Sequence, residues 1–344
     1  MSTIPRYVPP PPVPGGTLLV GGGVGGRGSA PYRPAPRRDS VSSWRWRHRA
    51  AYGACWVAGL SLCLIAVAIL GYMAVEGVQY LSLEMLVTRP EPSLDQAQTG
   101  GILDPILGTL ILTVMAILIA TPLGAVAAIW IVEYGRPRWL ARTIESGIEV
   151  VAGTPDIVLA IFGLAIFQLP LFAPLSFTAD GGGVFGRSFF AASAMLSLIA
   201  IPMVFSATRE GLLQVPAHVR EASWALGKTR ICTIRSVLLP VVRRHIATGS
   251  TLGMGRIVGD TAIVVVLLGG SLQITPVGDV PVLDVLKGSG STLTTYVYNA
   301  SPAGEGNAPQ KAYAAAFVLL VLVLLLNAVA TSIGKRSSPL EAHS

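Results

Sequence analysis

Hydrophobic positions in this chain come in long blocks rather than in strict alternation. Six runs, at about 54–75, 102–132, 147–172, 189–207, 246–269 and 312–333, are predominantly apolar over roughly 20 residues, long enough to cross a hydrocarbon core as helices. Between the fourth and fifth runs lies a polar, basic stretch that is nevertheless patterned, REASWALGKTRICTIRSVLLP from Arg220 to Pro240. Pro216 suits the first turn of a helix and Gly227 the left-handed turn beyond a helix end, so a helix of about ten residues is predicted between them. Val219, Ala222 and Leu226 recur at i, i+3 and i+7, flanked by Arg220 and Lys228. Such a small, partly apolar face suits a membrane surface or a cleft on another protein. A second helical run through Ile231, Ile234 and Leu238 leads to Pro240, where a bend into the next span is expected.

The composition agrees with the blocks. At 52% hydrophobic and 12% charged residues, the chain reads as a polytopic all-α integral membrane protein. A net charge of +7 could suggest nucleic acid, but the cations are dispersed among short loops and carry topology instead. With six spans, twenty of the 25 Lys and Arg fall on the starting side, and only Arg89, Arg187, Lys287 and Lys311 fall opposite. Both termini and the 220–240 stretch are therefore expected in the cytoplasm. Residues 1–43 are rich in Pro and Gly and read as a disordered tail. Trp44 and Trp46, interleaved with Arg45, Arg47 and Arg49, suit the lipid headgroups that follow it. The first apolar run lies too far in for a cleavable signal to be expected. The 270–310 connector is Gly/Ser-rich and suited to an external partner or to free motion.

Candidate chemistry narrows further. Ala222-x4-Gly227-Lys228-Thr229 fits a relaxed phosphate-binding loop, and Gly21, Gly23 and Gly26 fit a dinucleotide fingerprint. Both motifs need a buried strand before the glycines, and neither has one. Cys55, Cys63 and Cys232 have no metal or disulfide spacing and read as small buried hydrophobes. No nucleophile and base constellation stands out, so no catalytic residue is assigned. In the fifth run, Arg256 and Asp260 are four residues apart, on one helical face and within pairing reach. A charge at bilayer depth costs about 2.5–3.5 kcal/mol on insertion scales, which marks Arg256 as a functional candidate; an internal ion pair that fixes packing is the alternative. Gly249, Gly253, Gly255 and Gly259 offer small surfaces for close helix contact. Asp156, beside Pro155 in the third run, needs a partner or water if it lies at depth.

Glu221-Ala222-Ser223, three residues, Gly227, nine residues and Val237-Leu238-Leu239-Pro240 resemble the EAA loop of ABC importer permeases. Ser223 stands for Ala and Val237 for Ile. The resemblance implies a type I importer permease fold of the MetI-like kind, six spans and a cytoplasmic coupling helix. It implies that Glu221, Ala222, Ser223, Gly227 and Pro240 meet an ATP-binding partner, with ATP and Mg held there and no cofactor in this chain. Gly100-Gly101-Ile102, Gly108-Thr109-Leu110, Pro122-Leu123-Gly124 and Glu133-Tyr134-Gly135 resemble the opening of the core in the phosphate-specific branch. Thr248-Gly249, Leu252, Arg256, Gly259, Thr261 and Ala262 resemble that branch's TG-x2-L-x3-R-x2-GETAP pattern, with Asp260 for Glu and Ile263 for Pro. This similarity implies that Arg256 and Asp260 line a phosphate path. It implies a homologous permease, an ATP-binding subunit dimer and an external phosphate-binding protein as partners, in a bacterial inner membrane. Asp156 stands where that branch usually has Ser, Ser206 where Arg is usual and Arg209 where Glu is usual. Segments are expected at 44–99 (first helix and external loop), 100–270 (permease core, with its docking loop at 208–245) and 271–344. A permease for another oxyanion or small solute stays open, as does an ATP-independent secondary transporter or channel.

Overall fold

The computed structural model describes residues 46–90, 100–176, 184–269, 274, 285–302 and 308–336, and their regular structure is helical. The expectations for the 1–43 tail, its glycine run and most of the 270–310 connector fall outside these residues. The chain divides into two compact units, Met1–Cys63 and Leu64–Ser344. Helix α1 (Trp46–Gln79) begins in the first, where Tyr52 and Trp56 meet edge to face at 6.4 Å.

In the second unit, α2 (Leu83–Val87) and α3 (Leu103–Ile129) come first, and α3 runs on through a π turn, Trp130–Tyr134. Next are α4 (Arg138–Gly153), α5 (Asp156–Phe167) and α6 (Phe189–Gln214). Then follow α7 (Ala217–Ala225), α8 (Arg230–Thr233), α9 (Leu239–Gly259) and α10 (Ala262–Leu267). Helices α11 (Leu293–Ala300) and α12 (Pro309–Arg336) close the described chain.

Helix α6 is the axis of the core, packed against α3 and α9. Its Ala191, Ala192 and Ala200, with Ala116 and Ala120 of α3, are wholly buried, and small side chains are what let apolar helices approach closely where lipid offers no hydrophobic drive. A Cβ on Gly249 would stand 2.8 Å from the Val204 Cα, and one on Gly253 3.1 Å from the Ala200 Cβ. At Gly255 and Gly259 it would meet nothing within 4 Å. Of the four glycines, only the first two serve close contact among the described residues.

Among the described residues, four helices are long and apolar enough to cross a membrane, at His48–Gln79, Leu103–Tyr134, Phe189–Gln214 and Pro309–Ser332. They coincide with the first, second, fourth and sixth expected spans. The third is not one straight helix: α4 and α5 meet at 111°. Pro155, extended at φ −60° and ψ 137°, has no N–H with which to continue α4, so the chain turns and starts α5 at Asp156. The fifth is divided too. Helix α9 carries Arg243, Arg244, His245 and Arg256, and stops at Gly259 before an extended Asp260. The three cysteines are exposed, not buried as expected. Cys55 and Cys63 lie on α1, whose apolar side chains along this stretch are themselves uncovered.

Candidate functional site

From Pro216 to Gly227 the element folds as its punctuation suggests. Pro216 is the extended cap residue before α7. At the other end the Gly227 N–H donates to the Trp224 carbonyl at 2.8 Å and the Lys228 N–H to the Ser223 carbonyl at 3.2 Å. This is a Schellman closure, and Gly227 takes the positive φ of 77° that it requires. The Thr229 hydroxyl then caps α8 by accepting the Cys232 N–H. The Gly227-Lys228-Thr229 run thus follows a helix, and Lys228 Nζ donates to Ser236 Oγ at 3.4 Å. At Pro240 the helical path does not break. A π turn at Ile234–Leu238 leads directly into α9, the Leu239 N–H reaching the Ile234 carbonyl, and Pro240 sits in the first turn of α9.

What faces out of this element differs from the strip read off the spacing. Val219 packs inward on a cluster of Ala128, Phe205, Leu212, Val215, Leu238 and Val242. Ala222 is exposed and Leu226 is 79% exposed, with Glu221, Trp224 and Gly227 also on the surface. The outer face therefore combines one carboxylate with two large apolar side chains, and Ser223 points the other way. Its hydroxyl, buried, lies 2.9 Å from that of Thr233, tying α7 to α8.

The strongest anchor is Arg220. Its Nε donates to Glu133 Oε1 at 2.9 Å, Nη1 to the Val215 carbonyl at 2.7 Å and Nη2 to the Leu212 carbonyl at 2.9 Å. The side chains of Arg220 and Glu133 are only 17% and 8% exposed. One guanidinium thus joins α7, the last turn of α6 and the π turn after α3. Arg230 adds a bond from Nη1 to the Glu133 carbonyl at 3.4 Å. From spacing alone Arg220 is only a flanking charge; the one available signal was an acid, Glu133, at the end of an apolar run.

Arg256 and Asp260 are both present near the end of α9, but they do not pair. Arg256 Nη2 donates to both oxygens of Asp156, at 2.8 and 3.0 Å, so its partner lies a hundred residues away in sequence. Asp260 is 7% exposed, and its Oδ1 accepts the Ile263 N–H at 2.8 Å, capping α10. The reason is local: the chain turns after Asp260 (ψ 126°), which brings the Ile263 N–H onto its carboxylate, while the Arg256 fork reaches Asp156. Thr109, Thr113, Thr292 and Thr294 surround a small cavity beside Asp260. Arg209 faces Glu145 at 3.5 Å in a groove of about 460 Å³ between α4 and α6 that is also lined by Glu149, Ser206 and Glu210.

Residues 120–339 match the family model described as "Binding-protein-dependent transport system inner membrane component". The chain is 34% identical over 240 residues to phosphate transport system permease protein PstA 1 of Mycobacterium tuberculosis (strain CDC 1551 / Oshkosh), spanning 70% of this chain and 72% of the relative. It is 30% identical over 240 residues to phosphate transport system permease protein PstC of Xylella fastidiosa (strain 9a5c), spanning 66% and 69%. Its fold is similar to a chain in the crystal structure of a bacterial ABC transporter involved in the import of the acidic polysaccharide alginate. That similarity has a TM-score of 0.56 and 15% identity, and covers 84% of this chain and 99% of that one.

Proposed function

We propose a function from one premise: this chain belongs to the family of binding-protein-dependent transport system inner membrane components. It is a multi-pass ABC importer permease subunit, not an enzyme, and such subunits work in complexes with ATP-hydrolysing and substrate-binding partners. We read the cargo as inorganic phosphate. ATP, with Mg, is bound and hydrolysed by a dimer of ATP-binding subunits in the cytoplasm; a homologous permease completes the membrane part and an external phosphate-binding protein delivers the anion.

The observation that carries this reading is the anchoring of α7. Glu221, Ala222 and Gly227 face outward, while Arg220 fixes the helix to the ends of α3 and α6. A partner that grips the outer face then moves whole membrane helices rather than a loose loop. Ser223 and Pro240 serve that coupling from within, through the Thr233 hydroxyl and the first turn of α9. A guanidinium such as Arg256 offers several charge-assisted donors to a tetrahedral oxyanion, and Asp260 holds the backbone turn beside it. The names of the relatives support phosphate as the cargo.

Uptake of labelled phosphate by the complete complex in proteoliposomes tests the proposal. Arg256→Gln is expected to lower it by roughly tenfold or more, the loss of hydrogen bonds to a charged group being about 1.5–3 kcal/mol. Wild-type uptake by an assembled Arg256→Gln complex would remove Arg256 from the path. A second reading, another oxyanion, is favoured by one observation: Arg209 is turned toward Glu145 and the acidic groove. Sulfate taken up in preference to phosphate would decide for it.

A further inference from the structure

The Asp156–Arg256 pair is built unlike an ordinary packing contact. Helix α5 packs on α6 and α10, and its first residue reaches across to α9, so the pair is a strut between elements that the core does not press together. Both acidic oxygens lie on one guanidinium nitrogen, Nη2. Among the described residues, Arg256 Nε and Nη1 have no hydrogen-bond acceptor, which leaves three N–H groups of the fork unused. The side chains are 44% and 30% exposed, so they are open to exchange. Asp156 is held in place by the 111° turn at Pro155, which aims the start of α5 at α9. Asp260, the nearer acid in sequence, gives Oδ1 to the Ile263 N–H and lies beside both Asp156 and Arg256 without bonding the guanidinium.

From this geometry we propose that Asp156 is a tethered stand-in for the transported anion: it occupies Arg256 when the path is empty and must be displaced by cargo. The carboxylate thereby sets the affinity of the site, and it keeps the guanidinium neutralised between transport cycles. An arriving tetrahedral oxyanion engages Nε and Nη1 first and then takes Nη2, which frees α5 from α9. This inference rests on the reading of Arg256 as part of the path.

The test uses the purified complex without its binding protein, in wild-type form and as Asp156→Asn, Asp156→Ser and Arg256→Gln. One readout needs no cargo: modification of Arg256 by an arginine-selective dicarbonyl, followed by mass spectrometry of its peptide. The second is equilibrium binding of inorganic phosphate. Both Asp156 variants are expected to speed modification several-fold and to tighten phosphate binding by on the order of tenfold, as for loss of a competing charge-assisted hydrogen bond. The Ser variant carries the test should the Asn variant not assemble. Unchanged modification in the assembled variants overturns the proposal. Faster modification with unchanged or weaker phosphate binding overturns it as well, provided Arg256→Gln abolishes binding seen in the wild type. If phosphate binds to no form while modification still accelerates, the choice of phosphate fails and the tethered carboxylate stands.

Discussion

Replacing Arg220 by Met removes, at one position, the partner of Glu133 and the donors to the Leu212 and Val215 carbonyls. Glu133 is 8% exposed, so its carboxylate would be left buried and unpaired. Breaking a buried pair on one side costs about 3–5 kcal/mol, because the remaining charge keeps its desolvation penalty and loses its compensation. At about 2–4 °C per kcal/mol, the apparent melting temperature of the detergent-purified protein should fall by roughly 6–20 °C. Arg220→Lys should recover only part of this loss, since one ammonium cannot reproduce a fork whose three nitrogens each serve a different acceptor. Glu133→Gln keeps an acceptor for Nε and should cost about 1–2 kcal/mol. The double variant Arg220→Met/Glu133→Gln then isolates the ionic part. It should be less damaging than the sum of the singles by about 1.5 kcal/mol or more, because the orphaned charge is gone. Additivity within about 0.5 kcal/mol, or an Arg220→Met protein that melts with the wild type, would refute the assignment of Arg220 as the anchor of α7.

Two further substitutions probe neighbouring features. Ser223→Ala deletes the hydroxyl facing Thr233, whose own hydroxyl retains the Thr229 carbonyl at 3.1 Å, so a loss of only about 0.5–1.5 kcal/mol is expected in thermal melts. Gly249→Ala presses a methyl group against the Val204 backbone at 2.8 Å and should destabilise the isolated subunit by about 1–3 kcal/mol, whereas Gly255→Ala meets nothing within 4 Å and should stabilise α9 by about 0.5–1 kcal/mol. Equal effects of the two alanines would mean that the α6–α9 contact is not the close one described.

The parts of this chain that were legible in its sequence are those governed by local rules. Apolar runs mark their helices because each run must bury or lipidate itself, and Gly227 marks the end of α7 because few other residues take φ +77° without strain. Pro155 was legible as a weak point, but its 111° consequence was not, since a proline removes a bond without saying where the freed chain goes. Arg256 shows the limit most clearly. A partner four residues away is what helical spacing suggests, but the turn after Asp260 gives that carboxylate a backbone N–H of its own. The acid that pairs with it lies on α5, and nothing in the spacing of residues 156 and 256 connects the two.

Ser223 and Asp156, two of the positions that depart from the motifs this chain resembles, illustrate how a polar side chain is absorbed. Each has a dedicated partner in another helix, Thr233 for the Ser223 hydroxyl, which is buried where an unpaired polar atom would be costly, and Arg256 for Asp156. A hydroxyl pair between α7 and α8 stiffens the element that a partner would grip. A carboxylate on Arg256 ties α5 to the helix that would carry the anion. The two side chains therefore add separate cross-helix ties, one between α7 and α8 and one between α5 and α9. A chain with both ties should resist rearrangement more than one with Ala at position 223 and Ser at position 156.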